Sequence, residues 1–136
     1  MKLNKEILLN VKNLCVSTTE KRQHKNLIDE ISFEIKKNEI VGLIGESGSG
    51  KSLTSLSILG LLEKNKFNIS GEIIFNKKNL LNLDNNAMMQ IRGAEISMIF
   101  QEPMSALNPT MKIGKQLFEV FKAHENLSFE HTTERI

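Results

Sequence analysis

The chain has 136 residues, 40% of them hydrophobic and 25% charged, with a formal net charge of +2; this suits one soluble globular domain or part of one. The basic residues are scattered, "EKRQHK" at 20–25 being the longest cluster, which lacks the dense basic stripe of a nucleic-acid binder. No apolar run approaches the ~20 residues of a membrane helix, "MKLNKEILLN" lacks the apolar core of a signal peptide, and a single cysteine excludes an internal disulfide framework.

In chain order, "EILLNVKNLCV" (6–16) has strand-like spacing, and Cys15 within its "LCV" reads as a buried small hydrophobe. "STTEKRQHKN" is a polar loop. "ISFEIK" (31–36) alternates strictly, with Ile31, Phe33 and Ile35 on one face, and predicts a half-exposed strand. "KKNE" follows, where Asn38 tolerates a left-handed turn and suits a hairpin. "IVGLI" (40–44) is apolar on both faces, as expected of a strand buried centrally in a parallel sheet. "KSLTSLSILGLL" (51–62) reads as a helix with most of its surface buried. "SGEIIFN" (70–76) predicts a strand, and "NLDNNAMMQIRG" a short helix capped by Asp84 or Asn85 and stopped by Gly93. "EISMIF" (95–100) alternates and predicts another strand; "QEPMSALNPT" is a loop; "KIGKQLFEVFKAH" (112–124) has Ile113, Leu117, Val120 and Phe121 at helical spacing.

Between the apolar run and the first helix lies "GESGSGKS" (45–52), which fits G-x-x-x-x-G-K-[ST] with Gly45, Gly50, Lys51 and Ser52 in the fixed positions. Glycine lets the backbone fold back and bring N–H groups close to phosphate oxygens. The helix that follows adds the positive end of its dipole. The nucleotide-binding residues on this reading are Gly45, Glu46, Ser47, Gly48, Ser49, Gly50, Lys51, Ser52 and Leu53. Lys51 would reach the β- and γ-phosphates, and the Ser52 hydroxyl would ligate Mg²⁺. The competing reading is a small-residue turn that matches by accident. With Gly at about 7% of residues and similar usage elsewhere, a chance match in such a chain is roughly one in a few hundred, and its place between strand and helix lowers that further.

The second informative stretch is "ISMIFQEPMSALNPTMKIG" (96–114). The carbonyl oxygen of Gln101 could face Mg²⁺ or an attacking water, and its amide could hold a partner group; a solvated loop glutamine is the plainer alternative. Taken with "GLIGESGSGKS" and "GEIIFN", the stretch "MIFQEPMSALNP" resembles the ATP-binding subunits of ABC transporters, and within them the oligopeptide, dipeptide and nickel importer group. The resemblance runs from about Leu8 to about His124. It implies an α/β fold: half of a P-loop NTPase (RecA-like) core with an N-terminal antiparallel β subdomain, over residues 6–136. It also implies that Gln101 is the Q-loop glutamine, a catalytic residue beside Lys51 and a metal contact beside Ser52, which couples the site to transmembrane subunits. ATP and Mg²⁺ are the implied cofactors. The implied partners are permease subunits, a second ABC ATPase subunit in a homo- or heterodimer, and indirectly a solute-binding protein, with no nucleic acid. The implied location is peripheral, on the cytoplasmic face of a bacterial plasma membrane.

The chain also departs from that family. Such subunits carry an aromatic residue about 25 positions before the lysine that stacks on adenine, whereas this chain has no Tyr and no Trp. The corresponding loop reads "KRQHKNLID", with His24 or Lys25 the nearest candidate and a solvated loop residue the alternative for His24. The L-S-G-G-Q signature, the Walker B strand and the switch histidine do not occur in the 136 residues, so the resemblance implies a partial ATPase domain lacking its C-terminal half. His124 and His131 lack ligand spacing and read as solvated. Two other readings stay open. One is a non-catalytic remnant that at most binds nucleotide and leaves apolar sheet edges uncovered. The other is a different phosphate-loop protein, a GTPase or kinase: "NKKN" (76–79) is similar to the guanine-reading N-K-x-D, with Asn79 where the Asp would stand.

Overall fold

The computed structural model describes residues 6–19, 25–102 and 107–125. The chain divides into two compact units, Met1–Asp84 and Asn85–Ile136. In the first unit, strands β1 (Ile7–Thr18), β2 (Asn26–Lys36), β3 (Phe67–Phe75) and β4 (Lys78–Asn79) form one sheet in the order β2-β1-β3-β4. Every pairing is antiparallel. This is the expected antiparallel β subdomain. Helix α1 (Lys51–Ile58) lies between β2 and β3 in the chain. The second unit holds α2 (Asn85–Ile91) and α3 (Ile113–His124).

The central strand β1 shows how the sequence sets the sheet. Its buried residues are Leu9, Val11, Leu14 and Val16, a two-residue rhythm broken once, between Val11 and Leu14. A strict alternation would turn Leu14 outward. The break is absorbed by a bulge, where Asn13 takes φ 47° and the register against both neighbours shifts. The partners bend at the same level: Glu30 on β2 has φ 45° and Gly71 on β3 has φ 100°. Side chains hold the bend. Asn13 N–H donates to Ser32 Oγ at 2.8 Å, Ser32 Oγ donates to Asn13 Oδ1 at 3.1 Å, and Glu30 N–H donates to Cys15 Sγ at 3.3 Å. Cys15 is therefore half-buried on the opposite face from Leu14 and Val16 rather than buried as expected, because the restored alternation turns it away from the core. At the sheet's margin Lys37 Nζ lies 2.7 Å from Glu6 Oε2, and this ammonium holds the exposed Glu6 carboxyl below the usual carboxylate range.

The inner face of the sheet carries Leu9, Val11, Leu14, Val16, Ile28, Ile73 and Phe75, all 7% exposed or less. Leu14 is fully buried. Leu14→Ala is expected to cost about 2–5 kcal/mol, the usual range for a large-to-small change in a packed core. Urea unfolding followed by circular dichroism reads this directly, and a loss under about 1 kcal/mol would place the core elsewhere.

Three further sequence expectations differ from the structure. Helix α1 ends at Ile58 rather than Leu62. Gly60, at φ 61°, closes it: Leu61 N–H donates to Leu56 O at 2.9 Å and Gly60 N–H to Ser57 O at 3.0 Å, the paired bonds of a left-handed glycine stop. Partial exposure of Leu61, at 43%, follows from that turn. Second, residues 40–44 are not a strand. Asn38 does turn the chain at φ 56°, yet no hairpin follows it. Ile40 and Ile44 are exposed at 101% and 96%. Apolar residues on both faces report a preference for burial between neighbours, whereas a strand also needs a partner for its backbone. The described strands all pair with one another in the antiparallel sheet and leave none for 40–44. Third, residues 95–100 form only an isolated parallel bridge, Arg92 to Ile96, and Ile99 is 93% exposed. The cause is the same: among the described residues no strand lies beside this segment.

The candidate phosphate-binding loop

Residues 45–50 form an irregular loop that enters α1. Ser49 N–H donates to Glu46 O at 3.2 Å, which closes a turn, and Gly48 and Gly50 take φ 80° and 92°. Any other residue at Gly50 would be strained in that conformation. It would also be crowded, since an added Cβ would stand 3.0 Å from Ile28 Cγ1 and 3.2 Å from the Leu27 carbonyl oxygen. The loop's last glycine is thus seated on the start of β2.

The lysine folds over this turn. Lys51 Nζ donates to Gly45 O and Glu46 O, both at 2.6 Å, and to Ser49 Oγ at 3.2 Å. The ammonium is therefore held by the loop's own backbone. The first intrahelical bond runs from Thr54 N–H to Gly50 O at 2.8 Å, so the amides of Lys51, Ser52 and Leu53 precede it and carry the positive end of the helix dipole.

The helix's hydroxyls divide in two. Thr54, Ser55 and Ser57 donate to the carbonyls of Gly50, Lys51 and Leu53 at 2.9, 3.4 and 2.7 Å. Ser52 is exposed and makes no such bond among the described residues. One open hydroxyl beside a fixed ammonium fits a Mg²⁺ ion that takes one or two protein oxygens and the rest from phosphates and water. Among the described residues no group of three or more His, Cys, Asp or Glu could hold a metal, so the donor set suits a phosphate-bound ion rather than an all-protein cage.

The structure thus brings Lys51, Gly45, Glu46 and Ser49 together. Gln101 is exposed at a bend in the second unit. Of the adenine candidates, His24 lies outside the described residues, as does His131. Lys25 is exposed and uses its carbonyl to accept from Thr18 N–H at 3.2 Å. His124 is exposed, as expected, but its ring also sits over Gly93, where an added Cβ would meet Nε2 at 2.9 Å.

The "NKKN" stretch serves the fold. Asn76 and Lys77, at φ 46° and 66°, make the two-residue turn between β3 and β4. Asn79 Oδ1 accepts from Ile73 N–H at 3.3 Å and Leu81 N–H at 3.1 Å. A side chain committed to two backbone amides within the fold gives the guanine-reading alternative no support.

Sequence reasoning treated "QEPMSALNPT" (101–110) as plain loop and missed a polar cluster where its end meets the helix that follows. Gln116 Oε1 accepts from Asn108 N–H at 3.0 Å, while Gln116 Nε2 donates to Asn108 O at 3.0 Å and Met111 O at 2.9 Å. Asn108 Oδ1 accepts from Thr110 N–H at 3.0 Å and Thr110 Oγ1 at 2.8 Å. The available signal was Asn-Pro-Thr before a helix, a pattern that favours an Asx turn.

The glycine loop held by Lys51 and the helix that starts at that lysine keep the local form of a phosphate-loop motif, although the strand expected before the loop is not formed. The profile of the ABC transporter family matches residues 28–136, and the chain belongs to that family. It is 42% identical over 123 residues to the oligopeptide transport ATP-binding protein OppD of Escherichia coli, covering 90% of this chain and 36% of that protein. It is 44% identical over 129 residues to the oligopeptide transport ATP-binding protein AppD of Bacillus subtilis, covering 94% and 39%. Against the dipeptide transport ATP-binding protein DppD of Bacillus subtilis it is 45% identical over 124 residues, covering 90% and 37%. The chain thus spans little more than a third of the length of these curated relatives.

Proposed function

We propose that this chain supplies the phosphate-binding part of the ATP-binding subunit of a peptide importer, in which ATP binding and hydrolysis drive uptake of oligopeptides or dipeptides. The observation that carries the reading is the Lys51 ammonium, held by Gly45 O, Glu46 O and Ser49 Oγ at the start of α1. Its placement suits the β- and γ-phosphates of a nucleotide. The names of the similar proteins support peptide as the cargo.

This chain's residues would act by position and charge, as in other phosphoryl transfers. The loop amides of Gly48 to Leu53 would bind phosphate oxygens. Lys51 would exchange loop carbonyls for phosphate oxygens and keep its place. Ser52 Oγ would hold Mg²⁺, with Gln101 as a second oxygen contact that also orients the attacking water. The ion, when bound, neutralises charge on the phosphate oxygens.

The subunit would work with permease subunits, with a second ATPase subunit of its own or a related kind, and indirectly with a solute-binding protein. It would sit peripherally on the cytoplasmic face of a bacterial plasma membrane. Among the described residues no helix is long and apolar enough to cross a membrane.

A second reading rests on the exposed apolar segments at 40–44 and 95–100. In it, the chain by itself binds nucleotide without turning it over. The test of the first reading is uptake of labelled dipeptides and oligopeptides by cells deleted for the gene. Loss of peptide uptake with free amino-acid uptake intact, restored by the wild-type gene, is expected. Unchanged peptide uptake would remove the transport assignment.

A further inference from the structure

From the packing beneath the last glycine of the loop we infer that Ile28 is a positioning residue for phosphate binding: its branched side chain is the floor that sets where Gly50 sits, and with it the amides that follow. The inference rests on the nucleotide-binding role proposed above for residues 45–53.

Gly50 is held from two sides. On the helix side, its carbonyl oxygen accepts twice from the buried Thr54, from N–H at 2.8 Å and from Oγ1 at 2.9 Å. On the sheet side, an added Cβ would stand 3.0 Å from Ile28 Cγ1, 3.2 Å from Leu27 O and 3.7 Å from Ile28 Cδ1. The other two glycines of the loop differ. The nearest atoms to an added Cβ at Gly45 belong to Ser49 and Lys51 of the loop itself, and at Gly48 there is nothing within 4 Å. Of the three, Gly50 is the one that meets the sheet. The floor beneath it does not yield easily. Ile28 is 4% exposed, lies within the close-packed inner face and sits opposite Val16 in the β1–β2 pairing.

The consequence for binding comes from chain order. Gly50, at φ 92°, directly precedes Lys51, Ser52 and Leu53, whose amides stand free of the helix ladder and are proposed to meet phosphate oxygens. Successive amides serve one anion only when they are aimed together, so the support behind them matters as much as the amides themselves. Isoleucine supplies a shape as well as bulk. Its β-branch makes it stiff at χ1, which keeps Cγ1 in place. Valine retains a γ carbon there, and alanine removes it. Leucine keeps the volume but branches at Cγ, where isoleucine presents an unbranched methylene, and so crowds Gly50.

The test is calorimetric titration of this chain with Mg–ATP, for the wild type, Ile28→Val, Ile28→Leu, Ile28→Ala and Val16→Ala, each also unfolded in urea. Val16 is fully buried opposite Ile28, so Val16→Ala is a core truncation that leaves the floor of Gly50 in place. Ile28→Ala should weaken affinity about tenfold, the change expected if the loop holds its binding shape a tenth of the time. Ile28→Leu should bind several-fold more weakly than the wild type although a volume-conserving change costs little stability. Ile28→Val and Val16→Ala should stay within about twofold. Without nucleotide, the Thr54 amide, whose acceptor is Gly50 O, should exchange faster in Ile28→Ala relative to the β1 amides, and not in Val16→Ala. Affinity that simply follows stability, with Val16→Ala losing as much as Ile28→Ala, would overturn the inference. So would wild-type affinity in Ile28→Leu, the comparison that decides if Ile28→Ala does not fold. If the wild type does not bind Mg–ATP, the nucleotide reading fails instead. Equal Thr54 exchange in the wild type and Ile28→Ala would then dispose of the floor separately.

Discussion

Lys51→Ala is expected to abolish ATP hydrolysis and transport by the gene product while leaving its fold intact. The two effects separate because of where the ammonium sits. Its three partners are loop oxygens in an exposed site. Gly45 and Glu46 are themselves exposed, so water can replace the lysine and stability should change little. The function cannot be replaced so easily. Lys51 is the only cationic side chain between residues 45 and 53, and on the proposed reading hydrolysis would build charge on the phosphate oxygens that it meets. Removing one fixed electrostatic group of this kind typically lowers kcat by on the order of 10²–10³. Lys51→Arg should rescue poorly. A planar guanidinium presents its donors in a fork, and the present contacts converge on one nitrogen. Steady-state hydrolysis and peptide uptake measure the effect, and near-normal activity in Lys51→Ala would sink the proposed function.

The largest stability effect is expected at Gly71. Its φ is 100°, and an added Cβ would strike the carbonyl oxygens of Asn13 and Lys12, the latter at 2.6 Å. Both oxygens belong to the backbone of the central strand at its bulge. They cannot move without opening the β1–β3 pairing. The conformational strain and the overlap together should cost about 3–5 kcal/mol for Gly71→Ala, a large part of the stability of a small domain. Gly48→Ala is the control. Its φ is also positive, 80°, but an added Cβ there would meet nothing within 4 Å, so only the conformational part remains, about 1 kcal/mol. Comparable unfolding midpoints for the two variants would show that β1 and β3 do not approach as described.

Much of the fold was legible where a pattern needs no distant partner. The alternation of Ile31, Phe33 and Ile35 marked β2, and all three are half-buried beside exposed neighbours. The apolar spacing of 113–121 marked α3, and Gly93, at φ 83°, follows α2 as expected. The local shape of the candidate phosphate loop was legible because it is set nearby: the eight positions 45–52 carry the turn, the lysine and the helix start. Expectations failed where the outcome depended on neighbours or on competing local bonds. Residues 40–44 are apolar on both faces and 95–100 alternate, but neither pattern provides a strand to pair with. Gly60 lies within an apolar helical pattern, and the left-handed stop it makes overrode that pattern. Cys15, expected buried because it lies in the apolar run "LCV", is half-buried because the alternation restored after the bulge at Asn13 turns it from the core. The Gln116 cluster went unread because a polar residue on a helix has no periodic signature.

On the proposed reading, residues 45–53 form a loop that binds the phosphates of ATP. Titrating this chain with Mg–ATP while following backbone amide resonances by NMR tests it most directly. Saturable shifts centred on Gly48, Gly50, Lys51, Ser52 and Leu53 are expected, reduced in Lys51→Ala. No shift at millimolar Mg–ATP, or shifts confined to residues outside the loop, would contradict it.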